Sequence, residues 1–95
     1  MKEPLNVLEL GDGVASAYAA RLLADHGADV VKVEPPEGDA TRRRGPFPEG
    51  QPRELPAQEQ SGLFLALNLN KRGIVLDSIH GDEPALQSLL EWADI

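Results

Sequence analysis

Cysteine is absent from the 95 residues, which excludes a disulfide framework, a thiolate zinc site and a cysteine nucleophile, and leaves the redox compartment unconstrained. No run approaches the roughly 18 uninterrupted apolar residues of a membrane span. The opening Met-Lys-Glu-Pro has no apolar signal-peptide core behind its single lysine. These absences predict a soluble chain made in the cytoplasm. Basic residues are also in deficit. Nine Lys and Arg stand against sixteen Asp and Glu, a net charge of −7, so neither nucleic acid nor any other polyanion is an expected partner. The two histidines, His26 and His80, have no metal-ligand companion at helical spacing, and no metal is expected.

What is present is enough to fold. Hydrophobic residues at 41% and charged residues at 26% match a globular composition and argue against wholesale disorder. The length allows one small domain at most. Asn6 to Leu10 is a short apolar run followed by Gly11-Asp12-Gly13. Beyond it Ala15, Tyr18, Ala19 and Leu22 recur at i, i+3, i+4 and i+7, the period of a helix. Gly27 sits where a left-handed helix cap is wanted, and Ala28 to Glu34 resumes β-branched alternation. The unit is βαβ, the opening of an α/β, Rossmann-like sheet with parallel strands. Tyr18 and Trp92 are expected in its core.

Residues 35–62 differ. Six of these 28 are proline, and only Ala40, Phe47, Leu55 and Ala57 are apolar, so the segment is expected to be a long extended loop, functional or covered by a partner. Arg42-Arg43-Arg44 forms a local positive patch within it. Order resumes at Leu63 to Leu67, too short a run to assign to helix or strand by period, and leads into Asn68-Leu69-Asn70-Lys71-Arg72. Gly73 to Asp77 is a third strand candidate. Asp82-Glu83-Pro84 then marks a helix start, with Leu86, Leu89, Leu90 and Ala93 on one stripe. The closing Ala93-Asp94-Ile95 repeats the helix-to-strand handover of Ala28-Asp29-Val30 and reads as a cut. Three strands and two helices leave much of one sheet face bare, so the isolated chain is expected to be marginally stable.

Several groups could carry chemistry. Gly11 and Gly13 at a strand-to-helix turn, with Glu34 closing the next strand 21 residues on, resemble a dinucleotide (NAD) fingerprint. Ser16 stands where the third small residue belongs, and Asp12 places negative charge at the phosphate position. An ordinary βα turn accounts for the pattern equally well. Asn68, Asn70, Lys71 and Arg72 gather two amides and two cations suited to phosphate and adenine, as would any polar turn. Glu9 and Glu34 both end strands, which makes an acid/base pair only if they are close. His26 fits a helix C-terminus.

Taken together, Val7-Leu8-Glu9-Leu10-Gly11, Gly27-Ala28-Asp29-Val30-Val31-Lys32-Val33-Glu34-Pro35-Pro36, Gly38-Asp39, Thr41-Arg42, Gly45-Pro46-Phe47 and Asn68-Leu69-Asn70-Lys71-Arg72 resemble the start of a family III CoA-transferase, the CaiB/BaiF family. The resemblance covers nearly the whole chain. It implies a transferase that moves coenzyme A between an acyl-CoA and a carboxylic acid acceptor, or a racemase acting on acyl-CoAs. It further implies a Rossmann-like large domain, here its N-terminal fragment, and an interlocked homodimer. The family's catalytic aspartate, which passes through a mixed anhydride and an enzyme-bound thioester, lies beyond this segment. No residue of the chain is expected to be catalytic, and neither histidine matches the racemase histidine. The CoA-binding positions carry over to Val14 and Ala15 after the first strand, to Pro35 after the second, and to Asn68, Leu69, Asn70 and Lys71 in the polar turn. Some members have arginine where this chain has Pro35, and Arg42 is a candidate to replace it.

Overall fold

A computed structural model describes residues 4–11, 13–46, 61–77 and 84–95. Asp12, His80, the acidic pair Asp82 and Glu83, and the centre of the proline-rich segment lie outside the described residues. The elements are β1 (Asn6–Glu9), α1 (Val14–Asp25), β2 (Asp29–Glu34), a 3-10 helix (Ala40–Arg43), α2 (Gly62–Leu67), β3 (Arg72–Val75) and α3 (Pro84–Trp92). The strands form one parallel sheet in the order β1-β2-β3, the α/β arrangement expected from the sequence. The undecided run Leu63 to Leu67 is helical, because Ser61 accepts a hydrogen bond from the Phe64 amide and caps it.

Register fixes what each face carries. Val7 pairs with Val30 and Glu9 with Lys32, so these four side chains share one face with Glu34. α1 covers its apolar half, where Val7 and Val30 meet Ala20 and Ala24. α3 lies on the opposite face. There Asn6 donates to the Trp92 carbonyl, and the Arg72 guanidinium sits 5.9 Å from the centre of the Trp92 ring. The handover anticipated at the end of the chain is seen in the backbone. Leu8 N donates to Ile95 O at 2.9 Å and Ile95 N to Asn6 O at 3.2 Å, the alternation of a parallel ladder with Ile95 opposite Val7. The chain therefore advances from β1 to β3, then returns to the far side of β1. Reversal of direction with right-handed crossovers places α1 and α3 on different faces.

Two expectations are corrected. Tyr18 is 55% exposed rather than core, and Trp92 is only half-buried. The stripe that marked α1 as a helix is its outer face: Ala15, Ala19 and Leu22 are exposed, and Ala17, Ala20 and Ala24 are buried. Only small side chains let the helix axis approach the sheet beside a charged residue at its end, and the larger ones turn outward. The proline-rich segment is also not extended throughout. Its described part holds the 3-10 helix with Asp39 and Thr41 buried, and Gly62 N donates to Pro46 O at 2.7 Å, so the two ends of the undescribed stretch touch.

Gly11 and Gly13 have separate reasons to be glycine. A Cβ at Gly11 would meet Ser16 Oγ at 2.5 Å, so the strand end and helix pack closely there, with Ser16 in the space that Gly11 leaves. Gly13 adopts φ 96° and ψ −167°, a region essentially closed to residues with a Cβ. Gly13→Ala should lower the unfolding free energy by about 1–3 kcal/mol. Gly73→Ala, where a Cβ meets nothing within 4 Å, should change it by less than about 1 kcal/mol. Paired urea titrations of the two variants check the difference.

Candidate functional site

The carboxyl ends of β1 and β2 are not apolar. Glu9, Lys32, Glu34 and Asp39 are all buried there, and a charge removed from water is tolerated only when paired and fully hydrogen-bonded. Lys32 Nζ donates to Glu9 Oε2 at 2.7 Å and reaches Asp39 Oδ2 at 2.9 Å. The second oxygen of Glu9 takes Lys71 Nζ at 2.6 Å. Lys71, Glu9, Lys32 and Asp39 thus form a chain of alternating sign that joins the turn before β3, β1, β2 and the segment after β2. Asp39 Oδ1 accepts from the Thr41 amide at 2.8 Å and the Thr41 hydroxyl at 2.7 Å, starting the 3-10 helix. Ser61 Oγ donates to the Thr41 carbonyl at 2.9 Å, which ties that helix to α2.

Glu34 lies beside this chain in a pair of its own. Arg42 Nε and Nη2 hold its two oxygens at 2.7 and 2.9 Å, and the Asp39 amide adds a third bond at 2.9 Å. The Arg42 guanidinium also stacks 3.6 Å from the centre of the Phe64 ring. Arg42 is therefore committed to Glu34 and Phe64, which corrects its candidacy as a phosphate ligand in place of an arginine at Pro35. Glu34 is likewise occupied and buried, so the acid required by the dinucleotide reading offers no outward oxygen to a ribose. Glu9 and Glu34 each belong to a separate ion pair and do not form an acid/base couple. His26 Nδ1 lies 2.8 Å from the Leu22 carbonyl, the helix-end role anticipated for it.

The ionisations follow from these contacts. Burial by itself would raise Asp39, yet hydrogen bonds from Thr41 and Lys32 outweigh it and hold the carboxyl at about 2. Burial opposes ionisation of Glu34 too, but Arg42 and the Asp39 amide bring it below the ordinary glutamate value. Burial alone would depress the Lys32 ammonium, whereas Glu9 and Asp39 raise it. For Lys71, burial prevails over the Glu9 contact and the ammonium is lowered.

The seven positions carried over by resemblance fall in two places. Val14 and Ala15 are exposed at the start of α1, and Pro35 is exposed just after β2. All three sit at the carboxyl edge of the sheet. The turn 68–71 instead runs along the flank of α1. Lys71 Nζ reaches the Ala17 carbonyl at 2.9 Å, while Asn70, with φ 67°, donates to Asp25 Oδ1 at 3.1 Å at the helix end. A ligand touching both ends of this twelve-residue helix must span about 16 Å, which fits a long segmented molecule and not a compact one. The polar side chains of the turn do not form a free phosphate cluster. Asn68 Nδ2 donates to Phe64 O at 2.8 Å, Lys71 is buried, and Arg72 grips Asp29 at 2.7 and 3.0 Å. Leu69 and Asn70 are the exposed residues of the turn. Beside β1, where strand order reverses, a groove of about 300 Å³ is lined by Val7, Gly11, Ser16, Ala19, Leu23 and Ile95. Open α/β sheets bind ligands at such a reversal.

The sequence profile described as CoA-transferase family III matches residues 3–95. The chain belongs to this family. Among curated relatives, succinyl-CoA:mesaconate CoA-transferase of Haloarcula hispanica is 42% identical over 94 residues, 98% of this chain and 23% of that protein. Succinate–glutarate CoA-transferase of Agrobacterium fabrum is 44% identical over 100 residues, 99% of this chain and 24% of its own length. A crystal structure of a CaiB/BaiF family protein from Brucella suis, 41% identical, superposes with a TM-score of 0.61 over 77% of this chain and 18% of that one. A hypothetical protein of Mycobacterium tuberculosis, 29% identical, superposes with a TM-score of 0.70 over 95% of this chain and 22% of its own. This family III chain spans about a quarter of the length of the two curated relatives.

Lys32, Asp39 and Thr41 enter the sequence reading only as motif pieces, with no role at the site, and Ser61 does not enter it. One signal was available: a lysine inside Val30-Val31-Lys32-Val33 must bury its charge and so requires acids nearby. The carboxylates also set the acid stability of the family III segment. Asp39 and Glu34 ionise more readily folded than unfolded, so the folded state binds fewer protons and loses stability as pH falls from about 4 toward 2. For Asp39, moving from 3.8 to about 2 corresponds to roughly 2 kcal/mol. Asp39→Asn should be less stable at pH 7 and lose less on acidification; urea midpoints at pH 7, 4 and 2.5 check this.

Proposed function

We propose that this chain is the N-terminal part of an enzyme that transfers coenzyme A between carboxylic acids. It contributes part of the CoA site through Val14, Ala15, Pro35, Asn68, Leu69, Asn70 and Lys71. One observation carries this reading: the chain is about equally similar to relatives whose acids differ. Identity is 42% to the succinyl-CoA:mesaconate enzyme, 37% to a cinnamoyl-CoA:phenyllactate enzyme of Clostridium sporogenes and 43% to a formyl-CoA:oxalate enzyme of Streptomyces coelicolor. A segment that barely tracks the acid serves what these reactions share, and that is CoA. Choice of acid, and the aspartate that takes up the acyl group, belong to other parts of the enzyme. The substrates are an acyl-CoA and an acceptor acid, the enzyme works as a homodimer in the cytoplasm, and transfer is preferred over racemisation because the curated relatives cited are all named CoA-transferases.

The placement of the residues supports the reading. Val14, Ala15, Pro35, Leu69 and Asn70 are exposed and follow α1 along its length, as an extended cofactor requires. Backbone amides at the start of α1 point toward the sheet's carboxyl edge and favour an anionic group there. Titration calorimetry of the chain with CoA and with NAD tests it. Saturable CoA binding that NAD does not displace is expected, together with no acyl exchange by the 95 residues alone. NAD displacing CoA, or turnover by the isolated chain, would overturn the assignment.

A further inference from the structure

The ammonium of Lys71 has three protons to donate, and three acceptors hold them. They are Glu9 Oε1 at 2.6 Å, Asn68 Oδ1 at 2.8 Å and the Ala17 carbonyl at 2.9 Å. Its side chain is 2% exposed. A cation so saturated has no donor left for a phosphate, and withdrawing it would take from Glu9 Oε1 its lysine partner and leave Lys32 alone to balance the buried carboxylate.

We propose that Lys71 is a positioning residue that, with Glu9, braces the 68–71 turn against the first turns of α1, so that CoA is met at this turn by main chain and not by the lysine charge. The inference rests on the CoA reading above. Glu9 is central because its two oxygens serve different lysines, Lys71 on one and Lys32 on the other. Through Lys71 it fixes the spacing between Ala17 and Asn68, hence between the two groups of proposed CoA contacts. Glu9 and Lys71 act as one unit, and groups that act as a unit are not additive when removed.

A double-mutant cycle on the full chain tests this, with Glu9→Gln, Lys71→Met and the two combined. The combined variant keeps the buried cluster neutral, since Lys32 still faces Asp39, and so guards against a failure to fold. Each single change should weaken CoA binding about 10-fold and the double by about the same factor, not about 100-fold. The double variant should also melt closer to the parent than either single does. Were Lys71 a phosphate ligand, Glu9→Gln would free its charge and leave CoA binding equal or tighter, and that result overturns the brace. Hydrogen exchange of the 68–71 amides gives a readout independent of CoA. Faster exchange in the double variant is expected, and unchanged exchange overturns the brace even if the parent binds no CoA, a result that would itself sink only the CoA reading.

Discussion

Four buried charges of alternating sign, on Lys71, Glu9, Lys32 and Asp39, hold together parts of the chain that apolar contact does not. The apolar cluster under α1 is thin, joining Val7 and Val30 to Ala20 and Ala24, and on that face it stops short of the strands' carboxyl ends. There the register that places Glu9 beside Lys32 converts two strand residues into the centre of an ionic network. Removing one member of such a network costs about 3–5 kcal/mol, because the partner is left charged and dry. The network is thus a constraint on sequence as much as a source of stability.

The same constraint explains how the described part of a proline-rich segment, with almost no apolar residues, is held in place. Its described part is fixed by polar contacts: Asp39 to Lys32 and Thr41, Arg42 to Glu34 and Phe64, and Ser61 to the Thr41 carbonyl. Burial here follows pairing and not hydrophobicity. The carboxyl edge of the sheet becomes rigid without being covered by large side chains, which leaves Val14, Ala15 and Pro35 accessible beside it.

The three strands, α1, α3 and the parallel βαβ order were legible because they depend on local period and on glycine positions, whereas α2 and the 3-10 helix, each set by a single polar cap, were not. Gly27, with φ 97°, ends α1 where its place after His26 said it would. The buried face of α1 was not legible. Period reveals that Tyr18 and Leu22 share a face with Ala15, but whether that face meets the sheet depends on how close the helix must come, and the alanines decide it. The ionic network was hidden for a similar reason. Glu9 and Lys71 are 62 residues apart, and nothing local links them. The motif pieces for the family were fully readable, yet the use each polar side chain makes of its charge was not, since Arg42 and Lys71 look equally free on paper.

The contact between Gly62 and Pro46 closes the proline-rich excursion at its base. This neck therefore sets a boundary among the described residues: those on its sheet side, from Asp39 to Pro46 and from Ser61 to Lys71, keep their places through the register and the buried charges, and the two points where chain leaves and rejoins them are held one hydrogen bond apart.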